Sequence, residues 1–229
     1  MRRVLGIAAC IAPALLAACQ TNRTPAPGPA ATRAAPLPSP AVAAAAQPTL
    51  GWRDAVEPED HDRLDRLDAA WAEGLAMARR AGFGRAIADL GALLDPAAAL
   101  PRPDPPPGPY RCRVVRLGAG TGARAFAAYP AYFCHVAVDG TELAFTKQGG
   151  SELPAGYIWK EGETRSVFLG TMMFAGEAAP PAYGEVAERN LVGVVERIGP
   201  LRYRLVLPWT RAGARIDVIE LVPYVPPEL

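Results

Sequence analysis

Few side chains in this 229-residue sequence are equipped for covalent chemistry, since it holds two histidines and three serines. Asp60-His61-Asp62 has the residue types of a metal site. Adjacent helix residues do not face one another, and no HExxH pattern or second histidine completes a ligand set. The triplet therefore reads as a solvated helix start, and no metal is expected. His135 follows Cys134 in a strand-like run and points to the opposite face, as a surface or polar-network residue rather than a base. Gly118-Ala119-Gly120-Thr121-Gly122 hints at a phosphate loop. It lacks a following Gly-Lys-Ser/Thr and a strand–helix–strand setting, so a flexible hairpin loop is expected and no nucleotide cofactor. Ser151, in Gly149-Gly150-Ser151-Glu152-Leu153, is not a nucleophile elbow, and no histidine–acid pair is placed to activate it. The carboxylates are too scattered to nominate a glycosidase pair. These residues point away from an enzyme.

The four cysteines carry more. Met1-Arg2-Arg3 precedes an uncharged, largely apolar run from Val4 to Ala18. That run is shorter than the roughly 20 residues of a membrane-spanning helix but suits the core of an export signal over residues 1–18. It ends in Leu16-Ala17-Ala18-Cys19, which resembles the bacterial lipobox. The resemblance implies that Cys19 receives a diacylglycerol, becomes the new N-terminus and is acylated there. Several chains matter physically, because one acyl chain anchors only weakly. Gln20 in place of Asp favours the outer membrane over the inner, with the chain facing the periplasm. Cys10 leaves with the signal. Cys112 and Cys134 remain; export places them in an oxidising compartment, and both fall on apolar strand faces. A disulfide is expected, with buried free thiols or a redox pair as the alternatives, and no Cys-x-x-Cys supports redox catalysis.

The charge distribution follows the same partition. The chain has 24 Lys and Arg against 23 Asp and Glu, a balance that argues against a nucleic-acid partner. Residues 1–51 hold Arg2, Arg3, Arg23 and Arg33 and no acidic residue, which leaves 20 against 23, or −3, from Trp52 onward. Residues 19–51 are rich in Ala and Pro, with little to bury, and read as an extended tether. A two-helix segment over 52–95 follows. Acidic residues and Pro58 mark a helix start. Leu64, Leu67, Trp71, Leu75 and Ala78 form an apolar stripe, Gly82 stops the helix, and Phe83, Ile87, Leu90 and Leu94 suggest a second.

Residues 96–109 contain seven prolines and read as a linker, after which the apolar period changes from 3.6 to 2. Tyr110, Cys112 and Val114 share one face of a first strand, and Tyr132, Cys134, Val136 and Val138 one face of the next. Asp139-Gly140 and Gly199-Pro200 read as two-residue turns. In the run after the second turn, Leu201, Tyr203, Leu205 and Leu207 face one way and Arg202 and Arg204 the other. About eight short antiparallel strands over 110–229, with no helical pattern between them, predict a mainly β, α+β fold. Closure into a small lipocalin-like barrel or half-barrel removes the sheet edges. Such a barrel is either filled by side chains or holds one small ligand. Tyr132, Phe145, Tyr157, Trp159, Phe168, Met172 and Met173 are the candidates for that core or cavity. Arg111, Arg113, Arg202 and Arg204 are expected on the exterior, solvated or facing a partner.

Gly108-Pro109-Tyr110-Arg111-Cys112-Arg113, Phe168-Leu169-Gly170-Thr171, Tyr183-Gly184, Arg189, Gly193-Val194-Val195-Glu196-Arg197-Ile198-Gly199 and the Asp217–Pro223 ending are the motifs that carry a resemblance. Over about residues 52–223 the chain resembles an uncharacterised domain of alphaproteobacterial lipoproteins, domain of unknown function 4893. The resemblance implies an exported protein and brings no catalytic residues with it. Asn190 departs from the pattern, which has an acidic residue after the arginine. A looser similarity, in the spacing of two cysteines and the strand number, is to lipocalin-like periplasmic protease inhibitors. It implies that Pro101–Pro109 or the tether would enter a protease cleft. The sequence thus predicts an envelope lipoprotein, attached to the membrane by its lipid, that binds an envelope protein or the cell wall. A small apolar ligand in the barrel and protease inhibition are the alternatives.

Overall fold

Nine strands result: β1 Gly108–Leu117, β2 Phe126–Ala128, β3 Tyr132–Asp139, β4 Glu142–Lys147, β5 Glu152–Lys160, β6 Ser166–Phe174, β7 Asn190–Gly199, β8 Arg202–Pro208 and β9 Ile216–Pro223. Some alternate apolar and polar residues, as β1 does, while β6 and β7 are nearly continuous buried runs. The computed structural model describes residues 51–225. Cys19, the export signal and nearly all of the proposed tether lie outside them. Every strand pairing is antiparallel. Strand β9 returns to pair with β1 along eight residues, Tyr110↔Pro223 to Leu117↔Ile216. That pairing closes β1 and β3–β9 into an eight-stranded barrel. β2 is an extra strand beside the far half of β1.

Inward-facing residues of the barrel form one core, among them Tyr110, Cys112, Cys134, Val136, Phe145, Phe168, Leu205 and Ile219. Cys112 and Cys134 are joined there as a disulfide with Cα atoms 5.9 Å apart. Closing a loop of 22 residues is worth about 3 kcal/mol on a chain-entropy basis. Gly156 and Gly170 sit opposite each other on β5 and β6. A Cβ at either would run into the Leu169 or Ala155 carbonyl oxygen of the partner strand, so only glycine permits this close crossing.

A second core lies on the outside. The single long helix expected from Pro58 onward is broken at Arg66 into α2, Pro58–Asp65, and α3, Leu67–Arg80. The four-residue α1, Trp52–Ala55, precedes them, and α4, Gly84–Leu90, continues into a 3-10 turn over Gly91–Leu94. Leu67, Trp71, Leu75 and Ala78 pack on outward residues Val115, Leu117, Val206, Ile216 and Val218. Both faces of β8 are therefore buried, which overturns the exposed position expected for Arg204. Its side chain has no accessible surface. It donates from Nε to Glu196 Oε2 at 2.8 Å, and from Nη1 to the Ala92, Leu93 and Asp95 carbonyls at 3.0, 3.0 and 2.8 Å. Arg113 and Arg202 are half-exposed and pair with Glu220, while Arg111 is exposed.

Two turns are displaced by one residue from the sequence expectation. Asp139 pairs with Glu142, so the loop is Gly140-Thr141, with Gly140 at φ 61°. Gly199 pairs with Arg202 across a bulge, so the turn residues are Pro200-Leu201, and proline takes the first turn position, where its fixed φ fits. The proline-rich segment is not a free linker. Leu100 N–H donates to Arg197 O and Arg102 N–H to Glu163 O, both at 2.8 Å, and Pro103 and Pro105 are buried.

Arg204→Met leaves buried Glu196 with only the longer Arg165 contact at 3.5 Å and takes the donor from three carbonyls, which costs about 3–5 kcal/mol. Urea unfolding of Arg204→Met is expected to show that loss, and Arg204→Met with Glu196→Leu to recover only the part due to the Glu196 charge, because the Ala92, Leu93 and Asp95 carbonyls stay without their donor.

Candidate functional site at the barrel mouth

The two ends of the barrel differ. At one end the strap formed by residues 95–107 touches β7 through Leu100, and Ser166 Oγ on β6 donates to Asp104 Oδ1 at 2.5 Å. The strap then enters β1. In a ring of eight strands β6 and β1 are opposite, so Pro105–Pro107 cross the barrel end. Tyr110, on the inward face of β1, closes the crossing by donating its hydroxyl to Pro106 O at 2.5 Å. Burial raises the pKa of that phenol. The strap is held by contacts with its own barrel.

The other end is a mouth framed by the β1–β3, β4–β5, β6–β7 and β8–β9 connections. Four charged residues occupy inward positions there, continuing the alternation of Tyr110, Cys112 and Val114 to Arg116, of Leu143 and Phe145 to Lys147, of Ile158, Gly156 and Pro154 back to Glu152, and of Leu221 and Ile219 back to Asp217. Arg116 and Asp217 are register partners. The guanidinium donates Nε to Asp217 Oδ1 and Nη2 to Oδ2, each at 2.8 Å, and Nη2 also to Glu152 Oε2 at 2.8 Å. The Asp217 side chain is 6% exposed and that of Glu152 41%. Bonding to Asp217 holds the guanidinium firmly protonated, while burial pushes the Asp217 carboxyl up against that same contact. Lys147 Nζ donates to the carbonyls of Gly149 and, at 3.0 Å, Glu152, and its desolvation lowers its pKa.

Two hollows meet at this ion pair. One of about 320 Å³ is walled by Met172, Leu191, Leu207 and Phe174 together with Arg189, Thr210, Arg211 and Asp217. The other, about 210 Å³, lies among Val114, Tyr129, Tyr132, Lys147 and Ser151. Arg116 and Glu152 line both. Each rim aromatic carries a cation on its face: Arg116 on Tyr129 at 5.7 Å, Lys147 on Tyr132 at 4.7 Å and Arg189 on Phe174 at 5.0 Å. The Thr210 hydroxyl, in a residue 8% exposed, has no hydrogen-bond partner among the described residues.

The helices hold the rim. Asp60, expected at a solvated helix start, is 1% exposed and binds Arg63 at 2.6 Å and the Tyr183 hydroxyl at 2.7 Å. Arg63 also reaches the Asn190 and Pro208 carbonyls at 3.3 Å, and burial lowers its pKa while raising that of Tyr183. Asn190 Oδ1 accepts Gly184 N–H at 3.0 Å, so the amide serves the β6–β7 connection. Trp209 opens the β8–β9 loop at φ 49°, with the Arg66 and Arg215 guanidinia 4.8 and 5.4 Å from its ring centroid. Arg211 Nη1 lies 3.0 Å from Glu59 Oε1 on α2.

The structure divides the aromatic and sulfur set read from the sequence. Phe145 and Phe168 are buried edge-to-face in the barrel core, centroids 5.9 Å apart. Met172 reaches the larger hollow and Tyr132 stands exposed at the smaller. Tyr157 and Trp159 do not face the interior. They pack outside with Trp52, Val167, Leu169 and Val192, the parity that Met173 also has. The five residues that build the mouth, Arg116, Lys147, Glu152, Thr210 and Asp217, are absent from that set. A charge at an inward position of β1, β4, β5 or β9 was the signal for four of them. Among the described residues no group of three metal-ligating side chains is found, and Asp62 and His61 pair instead with Arg66 and Asp65.

The family model described as Domain of unknown function (DUF4893) matches residues 52–221. The chain belongs to this family. The match runs from α1 into β9, so the DUF4893 region contains the barrel, its helical buttress and every residue named at the mouth. No curated protein and no solved structure matches the chain.

Tyr157 donates its hydroxyl to Asp139 Oδ2 at 2.7 Å, and burial followed by that bond pushes its pKa up to about 12. The raised value means that its contribution to stability is complete below pH 10 and is lost as pH rises towards 12. Unfolding midpoints across this window are expected to fall less steeply for Tyr157→Phe than for the natural protein.

Proposed function

We propose that this DUF4893 protein is an outer-membrane lipoprotein, anchored through Cys19 and facing the periplasm, that acts as a non-enzymatic binding module with its ligand site at the barrel mouth. The observation that carries the reading is the contrast between the ends: a strap crosses one, while at the other two hollows meet over a buried Arg116–Asp217 pair. The barrel centre is filled by Phe145, Phe168, Val195 and Leu205, so a ligand enters only the mouth. That mouth has both apolar walls and fixed charges, which fits an amphipathic small molecule better than a wholly apolar one. The Ala/Pro-rich segment after Cys19 suits a tether that holds the module away from the membrane.

An envelope-protein partner is the second reading. Phe133 on β3, Arg111 on β1 and Val222 on β9 are register partners on the outer face, and all three are exposed. Exposed apolar residues on neighbouring strands favour a protein contact there.

Intact-mass analysis is expected to show a lipid adduct that disappears, with membrane association, in Cys19→Ala. Titration of the full chain with octanol, octanoate and octylamine is expected to move the Met172 methyl resonance with at least one of them. If all three leave it unmoved, the mouth is not the ligand site. In intact-cell crosslinking, Phe133→Ser with Val222→Ser is expected to lose any partner captured on the outer face.

A further inference from the structure

The two carboxylates on Arg116 are not equivalent. Asp217 is held in a two-point fork, is 6% exposed at its side chain and sits opposite Arg116 in the β1–β9 register. Glu152 makes a single contact, to Nη2, from the start of β5 on the rim, and its side chain is 41% exposed. The buried carboxylate is part of the fold. The rim carboxylate can exchange with solvent at small cost, because a single solvated ion-pair contact is weak.

Its departure would change the mouth in two ways. Arg116 and Glu152 both line each hollow, so withdrawal of the Glu152 side chain removes one of the walls shared by the spaces of about 320 and 210 Å³. It also takes away the carboxylate whose charge acts on both Arg116 and Lys147, while Asp217 stays on Arg116. The vacancy on Nη2 thus suits a group with a single negative charge. Arg189 and Arg211 do not call for a second, since Glu177 and Glu59 pair with them at 2.8 and 3.0 Å. Glu188, exposed on the same rim, weighs against a doubly charged headgroup.

The remaining walls define the rest of the ligand. Met172, Leu191, Leu207 and Phe174 offer apolar surface beside the guanidinium. The unpartnered Thr210 hydroxyl, more than nine-tenths buried, offers one further hydrogen-bonding group in the same hollow.

We propose that the mouth binds a small monocarboxylate with an apolar tail, whose carboxylate replaces Glu152 on Arg116 Nη2 while the tail lies against Met172, Leu191 and Leu207. Glu152 is then an internal competitor that occupies the anion position when no ligand is bound. This specificity rests on the mouth being the ligand site.

The test uses calorimetry on the full chain carrying Cys19→Ala, which keeps lipid out of the assay, with octanoate, octanol and octylamine as probes. A charge-assisted hydrogen bond is worth about 1.5–3 kcal/mol, so octanoate is expected to bind at least about tenfold more tightly than octanol. Octylamine is expected to be the weakest. Glu152→Gln is expected to tighten octanoate about tenfold and octanol by clearly less, because the charge that competes with a carboxylate is gone and the side-chain shape is kept. Arg116→Met with Asp217→Asn is expected to abolish the preference for octanoate while octanol still binds. Should that double variant fail to fold, Glu152→Gln decides alone, since it lies on the rim. Equal binding of octanol and octanoate, or an octanoate affinity that Glu152→Gln leaves unchanged or weakens, overturns the monocarboxylate assignment but not the mouth as a ligand site. Failure of all three probes to bind overturns both.

Discussion

The pairing of β1 with β9 is the constraint on which the rest depends. Eight residues of each strand run in register, and this ladder turns an open antiparallel sheet into a barrel. Closure assigns an inside and an outside to every residue of both strands. Inside, Cys112 lies within disulfide reach of Cys134, Tyr110 reaches the strap that crosses one end, and Arg116 stands opposite Asp217. Outside, Val115, Leu117, Ile216 and Val218 form the apolar surface that receives α3. A slip of one residue would exchange the two sets, placing the arginine under the helix and the aliphatic residues in the mouth.

The helices are consequently more than a cover for an apolar face. Arg204 ties the barrel wall to the carbonyls where the helical segment ends, and Arg63 with Asp60 ties α2 to Tyr183, Asn190 and Pro208. Both arginines are buried, and their desolvation is offset by a carboxylate together with backbone carbonyls. The second cluster and the stacked Trp209 fix two of the connections around the mouth. A rigid frame around a site lowers the ordering cost that any ligand meets on binding. A scaffold of this kind fits recognition by a fixed opening.

Much of the fold was legible in the sequence because strands and helices write their burial into a period. The alternation in Tyr203, Leu205 and Leu207 gave β8 its inner face, and the stripe Leu67, Trp71, Leu75, Ala78 gave α3 its contact side. Arg204 and Tyr157 show where the period stops informing. Alternation separates two faces but does not say which is wet, and here helices bury the outer one, so an outward arginine is enclosed and an outward tyrosine and tryptophan join a core. The turns slipped by one residue for a related reason. Asp139-Gly140 and Gly199-Pro200 are good turn pairs locally, but cross-strand register moved each loop to the next pair.

The sequence by itself determined the class of the molecule: an export-like start, a lipobox-like Cys19, an acidic-leaning folded part, helices before strands, and two cysteines on matching faces. These follow from local composition and spacing, which act over a few residues. The mouth belonged to the tertiary structure alone. Arg116, Glu152 and Asp217 come from three strands as much as 101 residues apart in the chain, and only barrel closure brings their charges together. Their inward positions could be counted from the alternation, but whether a polar residue meets an opposite charge, a filled core or an open hollow depends on strands that are distant in sequence and adjacent only in space.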